Sequence, residues 1–594
     1  MNAQEEVFLK SYEIFLNAVE GAPADLVIKG GNLVNVHVGE IDKADVAIKG
    51  DRIIAVGDVG GLIGKETVVV DASGKYLAPG LIDCHIHVYG SHLSITEFAR
   101  VVVPKGTTAV ATDFYEFGIV TGLPGVRHSL EEARRTPLKI LFVAPLVAYM
   151  QNRPFGTNEK MSSTDLEQIL SWPETIGINE PPPAPIFQRD PVFLRLIELT
   201  NSLNKIIVGH ACDLHGIQLN SYLGLGARSD HECVTAEEAL EKARLGMRIL
   251  VREGSAATDL TKVIKAISEH RIDSRFFAFC SDEKDPIDLV EKGHLDDTVR
   301  KAIAQGVDPI TAIQMATLNA AEYFRLENRM GSISPGKIAD ILVLDDLSSF
   351  KISIVIADGK IVARDGQLVS TIAKTEYPDF LKNTVKIGGI LKPEDFAIET
   401  APSRKKAKVR VIGANEGTLI SERKEATLPV TAGKIECDPD NDVLKIAIVE
   451  RYRASGRIGK GFITGLGLKQ GAVASTFNPV GENLLVVGCN DLDTATAANN
   501  VARIGGGFLF VKDGRTIAQL ELPLAGLASD KPYETVKEGL RKMHQVLAEH
   551  GCKLKAPFLT LAFMAMPYGI PSYKISEYGL VDVDRLKLVD VVLE

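Results

Sequence analysis

Two patterns of hydrophobic and polar residues follow one another along the chain. Residues 24–57 alternate apolar and polar side chains between Gly and Asp turns, which is typical of a small antiparallel β layer. A similar stretch returns at 331–369. Between them, apolar runs of strand length are separated by helical patterns such as 235–247 and 308–324. This alternation indicates a parallel βα array.

Eight apolar runs in the middle of the chain are candidate strands. They lie at 76–88, 107–113, 139–146, 175–180, 205–211, 226–232, 248–255 and 276–282. Eight βα units in about 255 residues are the size of a TIM (β/α)8 barrel. An open doubly wound sheet is the alternative. We favour the barrel because several runs end in a polar or ionisable residue, as expected at the carboxyl-end face of a barrel.

The predicted fold class is α/β, with the barrel inserted into a small β-sandwich and followed by a further domain. Residues 1–75 are expected to hold an amphipathic N-terminal helix and the first part of the sandwich. The barrel takes 76–330 and the second part of the sandwich 331–385. The segment 386–408 is rich in Pro and Lys and predicts a linker, and strands alternating with helices predict a C-terminal α/β domain at 409–594.

Composition and charge exclude several classes of function. A chain of 594 residues is too long for one core. A net charge of -10 does not favour nucleic-acid binding, which needs clustered Lys and Arg, and no apolar run reaches the roughly 18 residues of a membrane span. The seven cysteines are scattered without a CxxC pair, which indicates reduced thiols. With no secretion signal at the N-terminus, we expect a cytoplasmic protein.

Ionisable residues follow the candidate strands. In "GLIDCHIHVYG" (80–90) two histidines lie one residue apart, and alternate residues of a strand point to the same side. The ends of the other strands converge on the same mouth of a barrel. The resulting set holds four histidines and two acids: His85, His87, Glu180, His210, His231 and Asp282.

This set predicts metal chemistry. Four imidazoles and two carboxylates are ligand types for one or two divalent ions such as Zn²⁺, Mn²⁺ or Fe²⁺. Glu180 could bridge two ions, because a carboxylate has two oxygens. The ions would lower the pKa of a bound water to near neutrality. Asp282 could then orient that water, take its proton and pass it to a leaving nitrogen.

The same residues carry a family resemblance. "PGLIDCHIH" and the four later strand ends look like the amidohydrolase superfamily. "DHECVTAEEALEKARLGMRILVREGS", "GSISPGKIADILVLDDL" and the C-terminal "GRIGKGFITGLGLKQGAVAS" resemble the adenine deaminase family. The resemblance covers most of residues 25–594. It implies a β-sandwich plus barrel, a dinuclear metal centre surrounded by the six matching residues, and hydrolytic release of ammonia from adenine to give hypoxanthine.

The chain departs from the family pattern at three places. Residues 88–91 read Val-Tyr-Gly-Ser where the family usually has Ile-Glu-Ser-Ser, and 113–116 read Asp-Phe-Tyr-Glu in place of Asp-Pro-His-Glu. Residues 479–483 read Pro-Val-Gly-Glu-Asn in place of His-Asp-Ser-His-Asn. Buried polar contacts contribute most to substrate selectivity. A changed substrate and neutral drift both remain open.

Other residues near the strand ends are candidate substrate contacts. The two tyrosines among them could stack on a heterocycle or simply pack at the barrel rim. The candidates are Tyr89, Tyr115, Glu116, Glu232, Glu253 and Ser255.

Three functions are compatible with these observations. The first is a metal-dependent deaminase of adenine or a close aminoheterocycle. The second opens a cyclic amide, such as a lactam or hydantoin-like ring, with the same metal centre, and the third is a catalytically silent scaffold. The expected partners are a small heterocyclic substrate and further copies of the chain, in a dimer or tetramer.

Overall fold

The computed structural model describes residues 12, 16–17, 19–150, 155–156, 158, 160–416, 418, 420–568 and 571–593. The amphipathic helix expected at the N-terminus lies largely outside these described residues.

The first five strands of the chain belong to one sheet. They are β1 Leu26–Asn35, β2 Glu40–Lys49, β3 Arg52–Gly57, β4 Val68–Asp71 and β5 Tyr76–Pro79. Strand β1 pairs antiparallel with β2 and parallel with β4 and β5. Val46 and Ile48 of β2 pack in one buried cluster and Ala47 in another, because successive side chains of a strand point to opposite faces.

Eight short parallel strands follow. They are β6 Leu81–Asp83, β7 Thr107–Thr112, β8 Lys139–Ala144, β9 Thr175–Asn179, β10 Ile206–Val208, β11 Ser229–Asp230, β12 Arg248–Arg252 and β13 Phe277–Cys280. Strands β6 to β10 form one sheet and β11 to β13 another. Parallel bridges from Ile207 to Ala227 and from Ile86 to Asp282 join the two sheets at both edges. The strands therefore close into a barrel, which confirms the predicted fold class and excludes the open doubly wound sheet.

Helices cover the outside of the barrel. They are α1 Ile95–Val102, α2 Tyr115–Thr121, α3 Leu123–Ala133, α4 Leu146–Tyr149, α5 Ser163–Ser171, α6 Pro183–Phe187, α7 Pro191–Ser202, α8 Gly216–Gly224, α9 Ala236–Arg244, α10 Leu260–Val263, α11 Lys265–Ser268, α12 Pro286–Glu291, α13 Leu295–Ala304, α14 Pro309–Ala316 and α15 Leu318–Tyr323. In α1, Phe98, Ala99 and Val102 are buried, because residues three and four apart share one face of a helix.

After the barrel the chain returns to the first sheet. The returning strands are β14 Ile341–Asp346, β15 Lys351–Ala357, β16 Lys360–Arg364 and β17 Gln367–Leu368. Strand β14 pairs antiparallel with β5. The segments before and after the barrel thus share one sheet of nine strands.

The strand expected at 76–88 is in fact two strands. Strand β5 belongs to the nine-stranded sheet, whereas β6 begins the barrel. Gly80 separates them: its amide donates to the carbonyl of Asp340 at 3.0 Å, and a methyl group at this position would collide with Thr108. An uninterrupted apolar run conceals this change of sheet, because both halves are buried.

The C-terminal domain contains a second nine-stranded sheet. Its strands are β18 Lys406–Gly413, β19 Glu422–Thr431, β20 Lys434–Ile435, β21 Leu444–Val449, β22 Ile458–Thr464, β23 Ala472–Ser475, β24 Leu484–Gly488, β25 Gly507–Lys512 and β26 Arg515–Glu521. Three more strands form a small sheet, β27 Tyr573–Ser576, β28 Gly579–Asp582 and β29 Lys587–Leu588, and the helices are α16 Asp491–Arg503, α17 Tyr533–Glu549 and α18 Pro557–Met564. None of the helices in the described ranges has both the length and the apolar character needed to cross a bilayer.

The segment 386–408, predicted from its composition to be a linker, packs on this domain. Leu391 exchanges two hydrogen bonds with the side chain of Asn499, at 2.9 and 2.8 Å. Phe396 is buried among residues of the second nine-stranded sheet. Composition misleads here because the segment's charged residues are largely exposed while most of its few apolar ones are buried. The domain boundaries drawn from the sequence stay predictions.

The C-terminal domain also contacts the barrel. The amide of Ser529 donates to the carbonyl of His92 at 2.9 Å. The His92 ring lies edge-on to Phe477 and Phe508, with ring centroids 4.9 and 4.8 Å apart. The loop after β6 is therefore held between the two domains.

Candidate metal centre

The strand ends bring all six predicted ligands to one place. His85 and His87 follow β6, and Glu180 comes directly after β9. His210, His231 and Asp282 follow β10, β11 and β13. Glu180 and Asp282 adopt φ values of 48° and 55°, a left-handed conformation that is uncommon outside glycine. Such backbone strain is concentrated at functional sites.

Glu180 lies at the centre of the four histidines. Its Oε1 is 3.1 Å from His231 Nε2, 3.4 Å from His210 Nδ1 and 3.6 Å from His85 Nε2. Its Oε2 is 3.6 Å from His87 Nε2. The carboxylate therefore faces His85 and His87 after strand β6 and also His210 and His231 after strands β10 and β11.

Asp282 lies on the other side of His85 and His87. Its Oδ1 is 3.8 Å from His85 Nε2 and 3.5 Å from His87 Nε2, and those two ring nitrogens are 3.2 Å apart. Donor atoms bound to one divalent ion at about 2.0–2.2 Å lie about 3–3.6 Å from each other. The donor atoms of the six side chains are thus separated by distances close to those between ligands of one metal ion.

The donor set fits divalent ions in composition as well as in spacing. Three groups of potential ligand atoms lie within 4.8 Å of one another: His85, His87 and Glu180; Glu180, His210 and His231; His85, His231 and Asp282. Among the described residues, His210 Nδ1 has no hydrogen-bond partner although it is buried. A buried nitrogen without a partner is expensive, and a bound cation would satisfy it.

The surroundings of His85 and Glu180 favour the protonation states that bind metals. Burial, together with the nearby imidazole of His231, holds the pKa of His85 well below its ordinary value, so the ring is neutral. Burial acts to raise the pKa of Glu180, but the histidines around it hold it well below the usual range. A neutral imidazole and an ionised carboxylate are the ligating forms of these side chains. Against the lowering effect of burial, the carboxylates of Glu180 and Glu232 raise the pKa of His210 and His231.

Arg252 pairs with three acids and is absent from the set predicted from sequence. Its Nη1 donates to Asp282 Oδ2 at 3.1 Å and pairs with Glu232 Oε2 at 3.0 Å. Its Nη2 donates to Asp259 at 2.9 Å. Asp282 therefore keeps Oδ1 directed at the histidines, because Oδ2 is engaged by the guanidinium.

Asp113 and Asn179 form a second layer around the centre. The Asn179 amide donates to Asp113 Oδ2 at 2.9 Å and to Glu180 Oε2 at 3.2 Å. Burial raises the pKa of Asp113 to about 6 against the opposing effect of His87. Asn179 lies at the end of β9 and orients Glu180.

A cavity of about 80 Å³ opens beside the centre. Two of the predicted substrate contacts, Tyr115 and Glu232, line it. The Tyr115 ring lies edge-on to His87, with centroids 4.9 Å apart. Glu232 Oε1 is 3.3 Å from His231 Nε2 and 3.6 Å from His210 Nδ1. Tyr115 therefore borders the centre through its ring and Glu232 through its carboxylate.

The other four predicted contacts do not line this cavity. Tyr89 stacks on Phe117 at 3.7 Å and hydrogen-bonds with Ser129. Glu116 is buried in the core beneath the cavity. Glu253 accepts from Lys301 at 2.8 Å, and Ser255 donates to Asp288 at 2.9 Å. Their expected contact with substrate is not supported by their positions.

The C-terminal domain supplies part of the wall, which sequence reasoning missed. Its lining residues are mostly apolar and come from the loop after β23 and from the end of α18 onward: Pro479, Val480, Phe563, Met566 and Tyr568. Val480 and Glu482 adopt positive φ values of 68° and 46°. A positive φ is a genuine outlier for a β-branched residue such as Val480. The only sequence signal in this loop was its departure from the family pattern.

Comparisons with known proteins agree with this site. Residues 76–362 match the Amidohydrolase family, and 418–587 match the Adenine deaminase C-terminal domain. The adenine deaminase of Clostridium botulinum (strain Langeland / NCTC 10281 / Type F) is 40% identical over 576 residues, which cover 96% of each chain. That of Moorella thermoacetica is 40% identical over 584 residues, 98% of each. Adenine deaminase 3 of Rhizobium meliloti is 40% identical over 577 residues, 96% of each.

The chain belongs to the adenine deaminase family. Membership of this amidohydrolase family implies the use of a divalent metal, and the donor set fits one. The three departures from the adenine deaminase pattern border the same cavity. Tyr115, Pro479 and Val480 line it, and Gly90 lies against Glu283, which also lines it.

Proposed function

We propose that the protein hydrolyses adenine to hypoxanthine and ammonia at a divalent-metal centre. The observation that carries this proposal is the convergence of four histidines and two acids beside one cavity. It is joined by about 40% identity to adenine deaminases over nearly the whole chain.

The proposed metal ligands are His85, His87, Glu180, His210, His231 and Asp282. Glu180 is the proposed bridge, because its two oxygens face different histidines. Bound divalent ions would supply a water that ionises near neutral pH. The identity of the metal and the number of ions stay predictions.

Asp282 is the proposed proton carrier. Arg252 holds Oδ2, which leaves Oδ1 free to take a proton from the attacking water and pass it to the departing exocyclic nitrogen. Water adds its oxygen to the amine-bearing carbon of the ring, the carbon–nitrogen bond breaks, and ammonia leaves. The balance is adenine plus water to hypoxanthine plus ammonia.

The cavity suits a free base better than a nucleotide. A buried water needs about 10–15 Å³, so a cavity of about 80 Å³ is small on the scale of a nucleotide. No Lys or Arg is among the described residues that line it, whereas four acids are. Apart from the proposed metal ligands, the ionisable residues lining the cavity are Tyr115, Glu232 and Glu283, so no described side chain there supplies a cation to pair with a phosphate.

Substrate comparison tests this proposal. Metal-loaded protein is given adenine, adenosine and a set of lactam and hydantoin-like rings, and released ammonia is measured together with the organic product. We expect ammonia and hypoxanthine in equal amounts from adenine and turnover of adenosine at least 100-fold slower. Ring opening of a cyclic amide without ammonia from adenine would replace the proposal with the ring-opening alternative. If none of these compounds is turned over, the protein would be the catalytically silent scaffold of the third hypothesis.

The assembly and the location of the protein stay predictions. A dimer or tetramer in the cytoplasm is compatible with the small-molecule substrate proposed here.

A further inference from the structure

Glu283 is a buried acid that the metal centre does not use. It follows Asp282, lines the catalytic cavity and is 4% exposed. Its backbone is fixed, because the carbonyl accepts from the amide of Ser255 at 2.9 Å. Its side-chain Oε2 is buried and has no hydrogen-bond partner among the described residues.

Gly90 provides the space for this carboxyl. A methyl group added at Gly90 would collide with Oε2 of Glu283. The backbone of Gly90 does not have a positive φ, so its conformation is open to any residue. Room for Glu283 is therefore the physical reason for a glycine at this position.

The environment of Glu283 offers no protein cation. No ion pair joins it to any Lys, Arg or His in the part of the chain that the structure describes, and its charged neighbours are the acids Asp282, Glu116 and Glu482. Leaving a buried polar oxygen unpaired destabilises the folded protein. Oε2 is enclosed against Gly90, so a ligand in the cavity that Glu283 lines would reach this carboxyl at its other oxygen, Oε1.

Tyr115 places a flat ligand next to this acid. Its ring borders the cavity, and a planar heterocycle packs well against an aromatic ring. A heterocycle stacked on Tyr115 would occupy the cavity that Glu283 also lines.

We propose that Glu283 determines specificity by hydrogen-bonding a ring nitrogen of the bound purine, and that Gly90 is the residue that positions its carboxyl. This inference rests on the proposed function for the identity of the ring. It predicts a functional pair: an alanine at position 90 displaces the carboxyl and acts only through residue 283.

A double-mutant cycle tests the pair. Glu283→Ala, Gly90→Ala and the double variant are compared with the wild type in equilibrium binding of purine, which carries no exocyclic amine, by calorimetry on metal-loaded protein. We expect each single change to weaken binding about 10- to 100-fold. The double variant should bind no more weakly than Glu283→Ala, because the collision at position 90 no longer exists.

Controls separate these effects from folding and metal loss. Gly224→Ala adds the same methyl group where no atom lies within 4 Å, and should bind purine as the wild type does. Metal content and thermal melting are measured for every variant. Glu283→Gln, which keeps the shape of the side chain, should recover part of the affinity.

The outcomes distinguish this inference from the proposed function. Unchanged purine binding by Glu283→Ala, or effects of the two single variants that add in the double variant, would overturn the pair while adenine turnover by the wild type stands. A wild type that neither binds purine nor releases ammonia from adenine would overturn the proposed function, and with it the purine as the ligand of Glu283.

Discussion

Asp282→Asn is expected to retain bound metal and to lose turnover of adenine by a factor of about 10²–10⁴, the range usual for a general acid–base. An asparagine keeps the shape of the side chain and its contact with Arg252, which donates to Oδ2 at 3.1 Å. It cannot carry a proton between water and the leaving nitrogen. The measurement is kcat for ammonia release, with metal content determined on the same sample.

A second buried aspartate serves as the control for this change. Asp340, the residue before β14, is paired at 2.9 Å with Lys139, the first residue of β8, and neither residue lines the cavity. Asp340→Asn should lower the melting temperature and leave kcat unchanged. Near-normal turnover by Asp282→Asn would rule out the proton-carrying role of that residue.

Glu180→Gln is expected to lose bound metal and, with it, activity. The Glu180 carboxylate lies within 3.1–3.6 Å of all four histidines. A neutral amide offers one oxygen and turns N–H groups toward the cations, so metal affinity should fall by about 100-fold or more. Elemental analysis after dialysis against metal-free buffer measures the loss.

Glu132→Gln is the matched control for metal binding. Glu132 is equally buried in the barrel but accepts hydrogen bonds from Thr96 and Tyr377 and touches no histidine of the centre. It should keep the metal content of the wild type. If Glu180→Gln also kept that content, Glu180 would not be a bridging ligand.

Much of the site could be predicted from sequence because its signals are local. Each of the six residues follows an apolar run, and a parallel barrel brings the carboxyl ends of its strands to one face whatever their separation along the chain. Predicting this convergence does not require knowing which residues distant in sequence contact each other. The barrel prediction is confirmed, and the six residues converge at one end of it as that prediction requires.

Four predicted substrate contacts lie away from the cavity because the predicted strand ends differ from those of the structure. The strand expected at 248–255 ends at Arg252, so Arg252 faces the centre while Glu253 and Ser255 belong to the following turn. The first barrel strand ends at Asp83, and Val88–Ser91 form a short 3₁₀ turn. Tyr89 is thereby directed into the core. Strand boundaries are set by tertiary packing, which a single sequence does not display.

The contribution of the C-terminal domain could not be predicted at all. Pro479 and Val480 reach the cavity only because the two domains pack through contacts such as His92 with Phe477. No local pattern encodes a contact between residues almost four hundred positions apart. Residues 479–483 depart from the family motif, and two of them, Pro479 and Val480, contribute apolar side chains to that wall.

Metal titration of the chelator-treated protein tests the central claim most directly. Ammonia release from adenine is measured as Mn²⁺, Fe²⁺ or Zn²⁺ is added back in increments to the full-length chain. If the six residues form the proposed centre, activity should rise from near zero and reach a plateau at one or two equivalents of metal per chain. Ammonia release that does not depend on metal, or its absence at every loading with all three metals, would contradict a metal-dependent adenine deaminase.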